Sequence, residues 1–199
     1  MLLRNRRVYQ VNGNGDKAAL HREQKVPPKE ARERADNWLW DQEVLRVFVD
    51  ASELKRQGIF GLGAIYIGQG CTFVKSKKHY NSSMQTVSIY GEIMAVDFAL
   101  QHLDFVMNDN LITAPSKVII NSDWNGIDLV HDEDMLLEKF PTINDVAKKI
   151  NKKLELFSHS NPDIDLIVSY LNSDEKRYNP FYKAAHNASR KAIGLSRMR

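Results

Sequence analysis

One cysteine, Cys71, stands in the 199 residues, which excludes an internal disulfide and any zinc site built from several cysteines. Long apolar runs are also missing. None approaches the roughly 20 residues that span a bilayer, and the opening MLLRNRRVYQVNGNG lacks the apolar stretch of a secretory signal. No repeat or low-complexity tract interrupts the chain. These absences predict a soluble, intracellular protein, placed in the cytoplasm, with no membrane partner.

What is present suffices for one core. With 43% hydrophobic residues in 199, one domain plus extensions is expected. The net charge of +3 is unevenly spread: residues 1–34 hold nine Lys/Arg against four Asp/Glu, the remainder 19 against 21. A basic leading segment beside a slightly acidic body suits a protein that meets a polyanion and gathers carboxylates around cations. A solvated leader kept soluble by its charges has the same composition. The chain divides into a basic arm over 1–40, flexible or partly helical, and a domain over 41–199. Within that boundary Lys29 to Glu43 reads as a short helix after Pro28, folding Trp38, Leu39 and Trp40 back onto the domain.

From Leu45 the pattern becomes regular. LRVFVDAS is a β-branched and aromatic run ending in small polar residues, as a buried strand does. IFGLGAIYIG and CTFVKSK read as two more strands, and the short Gly68-Gln69-Gly70 connection predicts an antiparallel hairpin. Gly58, Gly61 and Gly63 thin the second strand, which implies a bend or the close approach of another backbone. Ile89, Ile93, Val96, Leu100 and Leu103 trace one apolar stripe of a helix over Val87 to Val106. A fourth strand, KVIIN, follows Pro115. Residues 125–140 read as a short helix and an acidic loop, and Pro141 opens a helix to about Phe157. DIDLIVSYL is a fifth strand, and Pro180 starts a last helix. The order predicts an α/β architecture with a mixed five-stranded sheet flanked by helices.

Three acids fall at places where a carboxylate needs compensation. Asp50 ends an apolar strand; if Val47 and Val49 face one layer, it shares the other with Phe48. Glu92 lies at the margin of the helix stripe beside Gly91, and Asp123 leaves the strand Val118-Ile119-Ile120. Each has an ordinary alternative: a turn residue, a first-turn Glu favoured by the helix dipole, a helix cap. Their joint placement is what carries information.

FVDAS followed by a Gly-rich hairpin, YGEIMAVDFAL on the first long helix, and IINSDWNGI after the fourth strand resemble the three acid motifs of the type 1 ribonuclease H family. The resemblance covers roughly residues 45–193, in order and with comparable separations. It implies a ribonuclease-H-like sheet, antiparallel in its first three strands and then parallel, with the first strand central. It also implies a metal site at Asp50, Glu92 and Asp123. The family's fourth acid stands on the last helix in a pattern like Ala-Asp-x-x-Ala; here Ala185-His186-Asn187-Ala188 puts His186 in that position. A neutral imidazole can ligate a divalent cation, so His186 is expected to complete the set, with Asp174 and Glu175 as alternatives.

The family's histidine in the loop before the last helix has no counterpart in LNSDEKRYN. Its basic substrate handle is replaced by acidic HDEDMLLE. Asn81, Ser82, Ser83 and Gln85 stand where the family places polar contacts to a hybrid. Lys75, Lys77, Lys78 and the arm's Arg4, Arg6 and Arg7 are candidate phosphate contacts. The implied function is endonucleolytic hydrolysis of phosphodiesters with two Mg²⁺ or Mn²⁺ ions, the RNA strand of an RNA/DNA hybrid being the substrate. The departures leave two alternatives. One is a nuclease of this fold acting on branched or duplex DNA or structured RNA. The other is a noncatalytic nucleic-acid-binding module.

Overall fold

The computed structural model describes residues 27–109, 112–127, 130 and 141–195. Five strands form one sheet: β1 Val44–Leu54, β2 Ile59–Gly68, β3 Cys71–Tyr80, β4 Lys117–Ser122 and β5 Asp165–Tyr170. Their order is β3-β2-β1-β4-β5, with β1 central. β1–β2 and β2–β3 are antiparallel, while β1–β4 and β4–β5 are parallel. This is the mixed sheet expected from the sequence. β1 and β2 are nearly continuous apolar runs because both of their faces are covered, whereas the edge strand β3 alternates. The β2–β3 hairpin turns on Gln69 and Gly70, both at positive φ (53° and 77°), the backbone that a two-residue hairpin loop demands.

Five α-helices are described: α1 Lys29–Trp40, α2 Ser88–Met107, α3 Pro141–Ser160, the single turn α4 Ser173–Lys176, and α5 Pro180–Ala192. The two parallel connections run through α2 and α3. They cover one sheet face, where Val47, Val49, Ala64 and Tyr66 pack with Ile93, Val96, Ala99 and Leu103. The buried Tyr66 hydroxyl is satisfied there by donating to the Ala99 carbonyl at 2.8 Å.

The opposite face carries Phe48, Ile65 and Ile67 beneath α5, with Tyr182, Ala185 and Phe181 packed against them. Alternation along β1 therefore places Val47 and Val49 on one side and Phe48 on the other, as the strand period requires. α1 joins this second layer. The Trp38 ring sits 5.4 Å from Phe48 and receives the guanidinium of Arg46 at 5.3 Å. The helical part of the leading segment is thus fastened to the sheet. The arginines at positions 4, 6 and 7 and the acidic stretch HDEDMLLE lie outside the described residues.

Two glycines set how closely α5 approaches β2. A Cβ on Gly61 would stand 1.9 Å from the Ser189 carbonyl oxygen, and one on Gly63 would stand 2.3 Å from that of Ala185. The close approach expected from the thinned strand is this helix backbone. α5 itself is well started. Pro180 occupies its first turn, and the Asn179 side chain accepts from the backbone N–H groups of Phe181 (2.9 Å) and Tyr182 (3.0 Å).

Candidate active site

The parallel β1–β4 ladder ends at the pair Phe48–Asn121. Beyond that pair the strands part, and Asp50 and Asp123 each stand two residues further on. Both reach the side covered by α5, where one group joins them. Tyr182 Oη lies 2.9 Å from Asp50 Oδ1 and 2.7 Å from Asp123 Oδ2. The two carboxylate oxygens are therefore no further apart than those two bonds laid end to end.

Glu92 arrives from the second turn of α2. Gly91 makes this possible: a Cβ there would meet the Ala51 Cβ and the Phe60 ring at 3.1 Å, so the helix rides directly on β1 beside Asp50. Glu92 Oε2 is enclosed and has no hydrogen-bond partner. Its carboxyl lies within electrostatic reach of both Asp123 and Asp50. The three acids named from the sequence thus share one locus.

α5 supplies the rest of the cluster at helical spacing. Tyr182, His186 and Ser189 are four and three residues apart and lie on one face. Ser189 Oγ donates to Asp50 Oδ2 at 2.6 Å, and His186 Nδ1 sits 3.2 Å from the same oxygen. From α4, Lys176 Nζ reaches Asp123 Oδ2 at 2.5 Å, its ammonium 4.8 Å from the centre of the Tyr182 ring. Of the two alternatives, the Glu175 carboxylate accepts from Asn172, while Asp174 is tied through its backbone carbonyl, which accepts from Arg34.

The charges in this group are not independent. Burial, then the charges of Asp123 and Asp50, push the Glu92 carboxyl well above the ordinary carboxylate range. Burial also raises Asp50, outweighing its hydrogen bond from Ser189 and the nearby His186. Asp123 goes the other way. Its burial would raise it, but hydrogen bonds from Lys176 and Tyr182, the Lys176 charge and the Glu92 hydrogen bond together hold it low. Burial and then the Asp50 charge push the Tyr182 phenol far up, so it keeps its proton. One phenol proton cannot serve two carboxylates. The Tyr182 hydroxyl thus stands within donating distance of both aspartates and can satisfy one of them at a time, while Asp123 also receives Lys176.

Tyr182, Ser189 and Lys176 were not singled out from the sequence. The first two could have been: once His186 is set on the inward face of the last helix, positions four before and three after it share that face. Lys176 carried no signal beyond being a charge in a loop. Other sequence candidates are used locally. Asn81 accepts from Ser83 and donates to the Tyr90 hydroxyl, and Lys75 lies 4.1 Å over the Phe105 ring.

Neither a protein-family model nor a curated protein sequence matches the chain. Solved structures do. One is LC11-RNase H1 in complex with an RNA/DNA hybrid, 18% identical over 75% of this chain and 99% of that one, with a TM-score of 0.53. Another is LC11-RNase H1 isolated from compost by a metagenomic approach, 16% identical over 77% and 99%, with a TM-score of 0.50. The fold is ribonuclease-H-like. No helix among the described residues is long and apolar enough to cross a membrane.

Whether these residues suit a divalent cation can be judged from the donors themselves. In favour stand hard oxygen donors, a buried Glu92 oxygen lacking a partner, and two carboxyls, Glu92 and Asp50, whose burial penalises their charged forms. Among the described residues, however, no group of three or more His, Cys, Asp or Glu side chains stands ready-formed around an ion position. The Tyr182 hydroxyl and the Lys176 ammonium stand among the acids instead. The donor types suit such an ion, while the side chains are bonded to groups of the protein's own.

A pH dependence of stability follows. The folded-state pKa of Glu92 lies above its ordinary value of 4.5, so the folded protein holds a proton that the unfolded chain releases. That contribution is complete at low pH and is lost as pH rises through the folded pKa. Glu92→Gln removes the loss. The Tm of the metal-free variant should exceed that of the parent by roughly 3–5 °C at pH 8 and match it near pH 4. An equal Tm at both pH values would mean that Glu92 ionises at no cost.

Proposed function

We propose that the chain is a metal-dependent endonuclease that hydrolyses phosphodiesters, with the RNA strand of an RNA/DNA hybrid as substrate. The observation that carries this reading is the convergence of Asp50, Glu92 and Asp123, from β1, α2 and the end of β4, on one locus of a ribonuclease-H-like fold. Asp50, Glu92 and Asp123 would hold Mg²⁺ or Mn²⁺, with His186 at the rim. Such an ion supplies Lewis-acid activation of water and neutralises charge on the leaving oxygen.

The chain's own groups prepare the site. The Ser189 hydroxyl fixes one oxygen of Asp50, and Ser52, 2.8 Å from Ser189 Oγ, steadies that hydroxyl from β1. Burial penalises the charged form of Glu92, and the arrival of positive charge would favour the ionised carboxylate that can act as a ligand. His186 is the exposed member of the set, its side chain 45% accessible. It also lines the cavity beside Tyr182 and Lys176.

The test is side-by-side digestion of hybrid, duplex RNA, duplex DNA and branched DNA with Mg²⁺ and with Mn²⁺. Cleavage confined to the RNA strand of the hybrid is the expected result. Cleavage of another substrate instead would keep the nuclease and reassign its target. A noncatalytic nucleic-acid-binding module is the second reading, favoured by the Lys176 and Tyr182 groups that already neutralise the acids. It requires salt-sensitive binding without cleavage at any metal concentration.

A further inference from the structure

Three acids gathered at the end of a sheet repel one another, and the fold has answered that repulsion with its own cation. Lys176 is placed for this by a short, well-braced segment. Asn172 caps α4 by accepting from the backbone of Asp174 and Glu175 at 3.0 and 2.9 Å, and Arg34 of α1 donates to the Asp174 carbonyl at 3.1 Å. The ammonium at the end of that turn lands on Asp123 Oδ2, the oxygen that also accepts from Tyr182. A cation ligated through that oxygen would have to take it from the ammonium.

The ammonium also has somewhere else to go. A cavity of about 550 Å³ adjoins the cluster, lined by Lys176 itself with Tyr178, Tyr182, Lys183 and His186. It is open to solvent, so a four-carbon stem can swing into it without repacking the core. Lys183, on the same wall, is exposed and has no ion pair among the described residues.

We propose that Lys176 is a built-in counter-ion that occupies the place of the divalent cation, competes with it for Asp123, and is displaced into the neighbouring cavity when it binds. The residue thereby sets the metal concentration at which the site fills. This inference rests on the reading of Asp50, Glu92 and Asp123 as metal ligands, and adds a positioning role for a residue outside that set. Displacement also leaves two ammonium groups, those of Lys176 and Lys183, on one cavity wall, a surface for the phosphate of a bound strand.

Competition is tested by titrating the full-length protein with Mn²⁺, by calorimetry and by the Mn²⁺-induced rise in Tm, for the parent, Lys176→Met, Lys176→Arg and Asp123→Asn. Removing a partly exposed competing charge is expected to tighten Mn²⁺ binding roughly tenfold in Lys176→Met. Its metal-free Tm should be lower than the parent's and its rise on saturation larger, since binding to the folded state alone stabilises by mass action. Lys176→Arg should keep parental affinity, and Asp123→Asn should lose binding. Parent and Lys176→Met binding Mn²⁺ equally, or the variant binding more weakly, overturns the competition while leaving the metal site standing. No Mn²⁺ binding by the parent or by Lys176→Met overturns both.

Discussion

Asp50→Asn is expected to lower Mg²⁺-dependent cleavage of a labelled RNA/DNA hybrid to background, a loss on the order of 10³-fold or more. The substitution is chosen because it alters charge and little else. Asp50 is 3% exposed and its oxygens meet Tyr182, Ser189 and His186, so a larger or shorter side chain would disturb α5. Asparagine keeps the shape, keeps an oxygen that accepts from Ser189, and turns an amide toward the Tyr182 hydroxyl, which accepts from it. The metal-free variant should therefore melt at or above the parental temperature, because burial already penalises the Asp50 carboxylate. Lost cleavage with retained stability separates a role in chemistry from a role in folding. Undiminished cleavage in a folded Asp50→Asn protein would refute the assigned site.

The sheet was legible because its strands obey elementary patterns. LRVFVDAS is apolar on both faces since β1 is central, and Gly68-Gln69-Gly70 reads as a tight hairpin because a glycine such as Gly70 adopts positive φ at no steric cost. The acids were legible only jointly. Each of Asp50, Glu92 and Asp123 has an everyday explanation, and it is the order strand–helix–strand that sets them apart. What the sequence concealed is the other half of the cluster. Tyr182 reads as a core aromatic, which its ring is; the functional content lies in where its hydroxyl ends, fixed by how deeply α5 sits on β2. Lys176 reads as one charge among several in NSDEKRYN. Its meeting with Asp123 spans 53 residues and depends on Asn172, Arg34 and α1 together. Contacts of that kind have no local signature, since no periodicity or turn chemistry encodes them. His186 was found because it stands where the resembled family has its fourth acid, and the structure places it against Asp50, whereas the Glu175 carboxylate is bonded to Asn172.

The depth of α5 makes the second large effect calculable in direction. Gly63→Ala is expected to destabilise the protein by about 3 kcal/mol or more, lowering Tm by roughly 6–12 °C. Gly63 pairs with Asp50 across the β1–β2 ladder, and its missing side chain is the space into which α5 descends. A methyl there meets the Ala185 carbonyl oxygen at 2.3 Å and the Ser189 amide nitrogen at 2.8 Å. Both are helix backbone, so neither can rotate aside as a flexible side chain would; the helix must lift as a body. Lifting α5 withdraws Tyr182, His186 and Ser189 from Asp50 at once, and it opens the layer that holds Phe48, Ile65 and Ile67. The variant should therefore lose stability and hybrid cleavage together, in contrast to Asp50→Asn, which loses cleavage alone. Gly61→Ala, opposed to the Ser189 carbonyl at 1.9 Å, should behave the same way. If thermal denaturation shows either alanine variant unchanged, α5 is not seated on β2 at this depth. The hydrogen bonds from α5 to Asp50 would then not form, and the acid cluster would have to be rebuilt without Tyr182 and His186.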